Sequence, residues 1–312
     1  MSLAILTAPR FNDEPTARKH LEALRWPSGP VCPHCGGLER NSAVNGQSHR
    51  DGLYFCGDCR SQFTVTVGTV FERSKIPLHK WLMAAHLLCA SKKGISSKQI
   101  ERMLGVTYKT AWFMTHRLRE AMKPNGGGMF GAGGKPVEAD ETFIGRKPGR
   151  KKGQGGFGHK NVVFSLLERN GNVRSFHVPD VTAATLKEKL AAHVAKDARL
   201  MTDSGGQYRM TKRDFPKHET VNHMIEEYAR GDVTTNTVEG FFGIFKRGIY
   251  GTYQHISSQH LERYTTEFDF RYNNRIANGV NDTERADRLL KGISGKRLTY
   301  RRANGTTQGS TS

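Results

Sequence analysis

The sequence predicts an α/β protein in which a small metal-binding module and a helical region precede a mixed sheet. Three observations lead to this prediction. Two Cys-x-x-Cys pairs lie near the beginning, helical periodicity runs from Pro77 to Met122, and strand-like and helix-like segments alternate after a run of glycines. A chain of 312 residues is long enough for about two domains, one of which can bury a sizeable core.

The charge of the chain points to a polyanionic partner. It carries 48 Lys and Arg against 29 Asp and Glu, a formal net charge of +19, and nucleic acid is the commonest partner of such proteins. A generic basic surface, or a ribosome-associated protein, is the alternative. The chain has no run of about 18 apolar residues, so we expect no membrane span. Its start lacks the features of a signal peptide, and we expect a reducing, cytoplasmic location.

The two cysteine pairs predict a zinc ribbon over residues 31–72, after an N-terminal helical segment at 1–30 with a helix near Glu14 to Leu24. Two such pairs at this separation favour one structural Zn²⁺ held by four thiolates, whereas redox-active dithiols are the competing interpretation. His34 lies inside the first turn and is expected to be a turn residue. Cys89 lies on the apolar face of a helix and is expected in a core. The predicted zinc ligands are Cys32, Cys35, Cys56 and Cys59.

Residues 73–123 predict a helix-turn-helix region. Two short helices surround the turn Leu104-Gly105-Val106, and the second would enter the major groove of DNA. Many helix pairs that do not bind DNA share this spacing, so a simple structural pair is the alternative. Residues 124–135 are rich in glycine and are predicted to form a flexible linker. The residues expected to face DNA are Thr107, Tyr108, Lys109 and Arg117.

Three acidic residues stand in contexts that suit metal-ion catalysis. Asp140 lies in a predicted strand from Val137 to Ile144, Asp203 ends another short strand, and Glu239 lies on a predicted helix from Asn236 to Arg247. Cleavage or transfer of a phosphodiester uses two cations about 4 Å apart, and clustered carboxylates are the ligands that Mg²⁺ prefers. In a chain with 29 acidic residues, however, a triple of this kind also arises by chance.

Several segments together resemble the DDE transposases of bacterial insertion sequences. They are Asp140 to Gly145, Thr202-Asp203, Val221 to His223, and the block from Glu226 to Arg275. The zinc ribbon in front of them narrows the resemblance to the fifteen-ninety-five (IS1595) family. The resemblance implies an RNase H-like catalytic domain at 136–292, a mixed sheet flanked by helices, and leaves a basic, largely disordered tail at 293–312.

The resemblance also implies a mechanism. A transposase of this kind binds the terminal inverted repeats of its element, cleaves DNA and joins the freed end to target DNA, acting as a homo-oligomer in the bacterial nucleoid. Two Mg²⁺ or Mn²⁺ ions would be held by Asp140, Asp203 and Glu239, with Asp140 bridging them and Lys246 contacting phosphate. Family members carry Glu or Asn as the third residue, so Asn236 is the alternative to Glu239. Two other functions stay open: a non-catalytic DNA-binding regulator, and a nuclease of the same fold without strand transfer.

Further basic residues are candidates for contacts with the DNA backbone. The segment from Arg146 to Lys160 carries six Lys and Arg residues and no acid, so as a loop beside the first catalytic strand it could follow phosphates. A solvated flexible loop is the alternative. The candidates in this loop are Arg150, Lys151 and Lys152. In the later block, the resemblance implies that Tyr250, Tyr253, His255 and Arg271 line the path of the DNA, with Arg271 binding it.

Overall fold

The computed structural model describes residues 5–150 and 156–299 of the chain. The described residues form two compact units, each discontinuous in sequence. Unit 1 contains residues 5–85, 97–121 and 287–299, and unit 2 contains residues 86–96, 122–150 and 156–286. The domain boundaries predicted from the sequence therefore differ from the structural ones in the helical region and near the end of the chain.

Unit 1 begins with one helix and a small antiparallel sheet. The Asp13 carboxylate accepts the Thr16 amide hydrogen (2.8 Å) and so caps the first helix, as expected of an aspartate in this position. Behind the helix, the Trp26 ring packs edge-on against Tyr54 and Phe63. The elements are α1 (Glu14–Arg25), β1 (Asn41–Ala43), β2 (Tyr54–Cys56) and β3 (Gln62–Phe63), paired in the order β1-β2-β3.

The helical region predicted at 73–123 forms three helices. Between the second and third of these, Gly105 has a φ of +59°, a backbone conformation that glycine adopts without strain. The Thr107 hydroxyl then accepts the Thr110 amide hydrogen (3.3 Å) and caps the helix that follows. The two-helix arrangement expected from the sequence is therefore present. The helices are α2 (Leu78–Ala90), α3 (Ser97–Leu104) and α4 (Tyr108–Ala121).

Unit 2 is built on a five-stranded mixed sheet. Its strands are β4 (Pro136–Ile144), β5 (Asn161–Glu168), β6 (Val173–Val178), β7 (Arg199–Asp203) and β8 (Glu219–Val221). Their order in the sheet is β6-β5-β4-β7-β8. The first three strands pair antiparallel, whereas β7 is parallel to β4 and β8 is parallel to β7. This order, with these directions, is that of an RNase H-like sheet.

Helices cover both faces of this sheet because its central strands are apolar on both sides. The helices that follow the first four in the chain are α5 (Ala183–His193), α6 (Asn236–Gly248), α7 (Leu261–Asn273) and α8 (Asp282–Lys291). On β5, Val162 and Phe164 pack in the cluster that contains residues of α5, whereas Val163 packs in the cluster that contains residues of α6 and α7. These three helices were predicted from the sequence, whereas α8 was not.

Two segments predicted to be flexible are partly packed. In the glycine-rich stretch, Phe130 is buried in the α5-side cluster and exchanges backbone hydrogen bonds with His193 and Ala195, so the predicted linker does not extend over 130–135. In the predicted tail, Ile293 is buried and the Lys296 ammonium donates to the Ala121 carbonyl oxygen. The prediction of disorder is therefore wrong for 293–299, and residues 300–312 lie outside the described residues.

No helix in the described ranges is long and apolar enough to cross a membrane.

Candidate active site

The first two carboxylates lie on two neighbouring parallel strands, Asp140 in the middle of β4 and Asp203 at the end of β7. Glu138 on β4 is opposite Met201 on β7, and two residues further along each strand lie Asp140 and Asp203. Neighbouring strands are about 4.8 Å apart, and residues level with each other on parallel strands point to the same face. The backbone thus brings together two acids that are far apart in sequence. The Gly205 amide donates to Asp203 Oδ1 (3.0 Å) and fixes that side chain.

Glu239 comes from the first turn of α6. Its Oε1 atom accepts a hydrogen bond from the Thr235 hydroxyl (2.7 Å), and His223 Nε2 lies 3.7 Å from the same oxygen. Thr235 precedes the helix by one residue, and His223 directly follows Asn222 at the end of β8. The side chain is therefore held between its own helix and the end of the last strand. His223 belongs to one of the sequence motifs, but no role was predicted for it.

The neighbouring acids act on the carboxyl group of Asp140. The pKa of Asp140 is raised to about 8, mainly because the carboxyl is buried and further because the negative charges of Glu141, Asp203 and Glu239 lie nearby. The Glu141 amide donates to Asp140 Oδ1 (2.8 Å), which opposes this shift only in part. The negative charges of the neighbouring acids therefore favour the protonated form of Asp140.

Glu141 adds a fourth carboxylate beside the three. Burial and the charge of Asp203 raise its pKa, while two hydrogen bonds oppose the shift. The Tyr208 hydroxyl donates to one carboxylate oxygen of Glu141 and the Gln207 side-chain amide donates to the other, each at 2.7 Å. Glu141 had no predicted role, and Tyr208 and Gln207 could not be linked to it in sequence across more than sixty residues.

This donor set fits divalent cations that prefer oxygen. Carboxylates are the hard ligands of Mg²⁺ and Mn²⁺, and a buried cluster of negative charge is stabilised by a cation. Within residues 5–150 and 156–299, only the four cysteines bring three or more ligand atoms within 4.8 Å of one another. In a site for two ions about 4 Å apart, different carboxylates bind different ions, so the ligand atoms of the whole site lie further from one another than those around a single ion.

The four predicted zinc ligands meet in the ribbon. Cys32 Sγ lies 3.6 Å from Cys59 Sγ, and Cys35 Sγ lies 3.7 Å from Cys56 Sγ. A tetrahedron with Zn–S bonds of about 2.3 Å has edges of about 3.8 Å, so these separations suit zinc. Turns support them: the Gly36 amide donates to the Cys32 carbonyl oxygen (2.9 Å). The cysteines thus form the structural zinc site of the ribbon, and His34 is not part of the cluster.

Most of the other predicted site residues lie at the surface. The exposed residues are Thr107, Tyr108, Lys109, Arg150, Asn236, Lys246, Tyr250 and His255. Tyr253 is half-buried, and its hydroxyl donates to Glu267. Lys151 and Lys152 lie outside the described residues.

Two arginines that we expected to face DNA are instead tied to the protein. Arg271 is buried, with 7% exposed; its guanidinium donates to the Leu88 carbonyl oxygen (3.0 Å) and pairs with Glu267. The prediction that Arg271 binds DNA is wrong, because its guanidinium is buried and bonded to partners within unit 2. Arg117 is half-buried and donates to the carbonyl oxygens of Glu72 and Leu298 (both 3.3 Å), so it braces α4 rather than reaching outward.

A basic groove runs beside α4 in unit 1. Its volume is about 280 Å³, and its lining combines four basic side chains with aromatic ones and contains no acid. The groove shares Lys109 and Arg117 with the predicted DNA-contacting set. The sequence patterns did not point to Arg73 and Lys75, because these two lining residues precede the segment with helical periodicity. The lining residues are Arg73, Ser74, Lys75, Ile76, Trp81, Lys109, Thr110, Phe113, Met114 and Arg117.

Family comparisons agree with this arrangement. The family model described as ISXO2-like transposase domain matches residues 131–273, and that of a transposase zinc-ribbon domain matches residues 12–62. Both models describe the same family, and together they cover more than half of the chain. The chain belongs to the IS1595 transposase family. The match to the transposase domain begins at Gly131, inside the glycine-rich stretch.

A curated relative of this IS1595-family chain is an uncharacterized protein in transposable element ISH50 of Halobacterium salinarum. The two are 29% identical over 280 residues, which cover 84% of this chain and 91% of the relative. Among solved structures, the Mos1 transposase paired-end complex with left transposon end matches with 15% identity over 68% of this chain and 74% of that chain, at a TM-score of 0.29. A pre-cleavage Mos1 transpososome matches with 13% identity over 59% and 73%, at a TM-score of 0.21.

Proposed function

We propose that the chain is a DNA transposase that binds the terminal inverted repeats of its insertion sequence and uses Asp140, Asp203 and Glu239 to cut and join DNA. The observation that carries the proposal is the parallel pairing of β4 with β7, which brings Asp140 and Asp203 to one face of the sheet. The negative charges of Asp203 and Glu239 also contribute to the raised pKa of Asp140. Membership of a transposase family supports it. A DNA-binding regulator would have no reason to keep mutually repelling carboxylates partly buried, because such burial is costly without a cation.

The three carboxylates have different places and therefore different proposed roles. Asp140 lies on the central strand of the sheet and would contact both metal ions, whereas Asp203 and Glu239 would each hold one. The three carboxylates would hold two divalent cations, which would supply activation of the attacking oxygen and stabilisation of the leaving oxygen. The Thr235 hydroxyl and the Gly205 amide keep Glu239 and Asp203 oriented. Asn236 is exposed at the start of α6 and stays the alternative third ligand.

Two exposed basic residues of unit 2 would bind the scissile strand. Lys246 lies on α6 seven residues after Glu239, about two helical turns along one face. Its ammonium is exposed and would contact a phosphate, a contact that carries no sequence information but fixes the register of the DNA. Arg150 lies in the loop that follows β4; the base of this loop is closed by a hydrogen bond from the Lys147 amide to the His159 carbonyl oxygen (2.7 Å).

Unit 1 would recognise the end of the element. Thr107, Tyr108 and Lys109 lie exposed at the start of α4, the part of a recognition helix that contacts base edges. The basic groove beside α4 would hold the neighbouring phosphates, and the net charge of +19 favours association with DNA. Joining two ends in one reaction requires two copies of the site, so we expect a homo-oligomer on DNA.

Cleavage of end DNA tests this function. The zinc-loaded protein, incubated with a duplex that carries the end of its element, should nick it only when Mg²⁺ or Mn²⁺ is present. Asp203→Asn should bind the duplex with unchanged affinity in a mobility-shift assay but leave it intact. Binding without metal-dependent cleavage by the wild type would support the regulator instead. Cleavage without joining would support a nuclease of the same fold.

A further inference from the structure

We propose that Glu138 is a positioning residue that holds the start of α6, and with it Glu239, against the strand that carries Asp140. Glu138 lies two residues before Asp140 on β4, so both side chains point to the same face of the sheet. The inference rests on the proposed function, because it concerns the third metal ligand of the same site. Neither the sequence patterns nor the family motifs assigned Glu138 a role.

Glu138 is a buried carboxylate with all its hydrogen bonds directed at one helix end and one arginine. Its side chain is 0% exposed. One oxygen, Oε2, accepts the amide hydrogens of Thr237 and Val238, both at 2.9 Å. The other, Oε1, accepts the Thr237 hydroxyl (2.9 Å). The two amides belong to the first turn of α6, where backbone donors have no partner within the helix. Glu138 therefore joins β4 to α6 directly.

These contacts replace a normal helix cap. Thr235 stands at the N-cap position of α6, where a threonine hydroxyl usually accepts the second or third amide of the helix. Here Thr235 makes no such bond, and its hydroxyl donates to Glu239 Oε1 instead. The second and third amides, those of Thr237 and Val238, donate to Glu138. Because Glu138 accepts these two amides, the Thr235 hydroxyl does not cap the helix and can orient Glu239.

Arg169 completes the connection and balances the buried charge. Its Nε atom donates to Glu138 Oε1 (2.7 Å), and its two terminal nitrogens donate to the carbonyl oxygens of Asp232 (2.5 Å) and Thr234 (3.1 Å). Glu138 and Arg169 thus connect β4, the start of α6 and the segment that precedes α6. Because Glu239 follows Val238 directly, a shift of this helix end moves Glu239 relative to Asp140.

Metal affinity is the property that such positioning controls. Residues that orient metal ligands typically change affinity about 10- to 100-fold when they are mutated. In Glu138→Gln, the side chain keeps one oxygen that accepts hydrogen bonds, but an NH₂ group replaces the other oxygen. This NH₂ group then faces N–H or O–H groups that are themselves hydrogen-bond donors. Calorimetric titration of the zinc-loaded full chain with Mn²⁺ should therefore show affinity about 10-fold weaker than in the wild type.

Two controls separate this effect from loss of charge and loss of stability. Glu168→Gln removes an equal charge from the neighbouring strand, where Glu168 pairs in register with Val137 and accepts the Gly131 amide. Leu190→Ala opens a cavity in the cluster on the α5 side. Both should leave the Mn²⁺ affinity within about twofold of the wild type, less than the 10-fold that moving a ligand costs. If Glu138→Gln does not fold, the isosteric Thr237→Val removes one donor to Glu138 and should weaken Mn²⁺ binding by a smaller factor.

A double-mutant comparison decides whether Glu138 acts through Glu239. In a Glu239→Ala background, Glu138→Gln should weaken Mn²⁺ binding no further. An equal weakening in that background, or unchanged affinity in both Glu138→Gln and Thr237→Val, would overturn the positioning role. If Glu239→Ala alone leaves the affinity unchanged, the proposed catalytic site is wrong. That result is distinct from a failure of Glu138 alone.

Discussion

The two candidate metal sites of this chain are built in opposite ways. The zinc site takes four ligands from residues 32–59, and short turns with their own backbone hydrogen bonds hold them. The carboxylate site takes Asp140 and Asp203 from adjacent strands and Glu239 from a helix that reaches the sheet after a long loop. The first is a local structure, whereas the second exists only when unit 2 is folded.

This difference explains what surrounds each site. The zinc ligands need few supporting contacts, because the metal itself completes a fold with little core. The carboxylates repel one another, and the surrounding residues hold them in place: Thr235 for Glu239, Gly205 for Asp203, and Glu138 for the helix end. A site assembled from distant elements therefore depends on support that a local site does not need.

Removal of zinc should have the largest effect and should be confined to the ribbon. Cys35→Ser removes one thiolate, and structural zinc contributes about 10–16 kcal/mol to small domains of this kind. We expect loss of the one bound Zn²⁺, and exposure of Trp26, which packs on Tyr54 and Phe63. Zinc content and tryptophan fluorescence measure these changes. Mn²⁺ binding by unit 2 should persist.

Cys89→Ala is the matched control, because Cys89 is buried in α2 and lies outside the cluster. It should retain one Zn²⁺ per chain. A Cys35→Ser protein that also retains its zinc would contradict the four-thiolate assignment.

The third carboxylate is tested by comparing two residues one helical turn apart. Glu239→Ala should reduce the rate of end cleavage about 10³-fold, equivalent to about 4 kcal/mol of transition-state stabilisation. Asn236→Ala should change it little, because Asn236 is exposed. Single-turnover cleavage rates provide the comparison. The reverse order of effects would make Asn236 the third ligand.

The basic groove should contribute a smaller, salt-dependent part of DNA affinity. Removing one positive charge that neutralises a phosphate reduces the slope of log affinity against log salt by about 0.9. Lys75→Ala should show such a reduction for end DNA and for unrelated DNA alike, since Lys75 lines the groove and is exposed. Lys19→Ala, which removes an exposed lysine from α1, should not. Equal slopes for the two variants would exclude the groove from the DNA-binding surface.

The smallest expected effect is a pH dependence of stability at Asp269. Its carboxyl is buried and accepts the amide and hydroxyl of Ser175 (both 2.7 Å), and burial raises its pKa to about 7. Because the folded-state pKa exceeds the unfolded one, its stabilising contribution is complete below about pH 4 and is lost as the pH rises through 7. The free energy of unfolding of Asp269→Asn, relative to that of the wild type, should therefore increase as the pH is raised from about 5.5 to about 8.

Urea unfolding at these two pH values measures the free energy of unfolding of both proteins. A constant difference between them would show that Asp269 has the same protonation in the folded and unfolded states.

Local patterns were sufficient to predict most elements of the fold. The strand Val173–Val178 has the predicted bounds, and α6 extends one residue beyond the prediction. These segments carry clear alternation or helical periodicity. Helix α8 was missed, because in its ten residues only Ala286, Leu289 and Leu290 are apolar and charged residues dominate.

Long-range contacts could not be predicted in the same way. Arg271 looked like a DNA-binding arginine in a basic block, but its partners Leu88 and Glu267 meet it only in the folded unit. Glu138 was one of several acids in a strand, and its amide partners lie about one hundred residues away. The candidate ligands themselves were available from motifs and family resemblance. Their support came only from the tertiary structure.

The joining of a pre-cleaved end to target DNA tests the central claim most directly, because it does not depend on the first cut. A duplex with a free 3′-hydroxyl at the end of the element is mixed with plasmid, Mg²⁺ and either the wild type or Asp140→Asn. We predict joined products with the wild type, and none with Asp140→Asn although it still binds the end. Equal joining by both proteins would contradict the assignment of Asp140, and with it the three-carboxylate site.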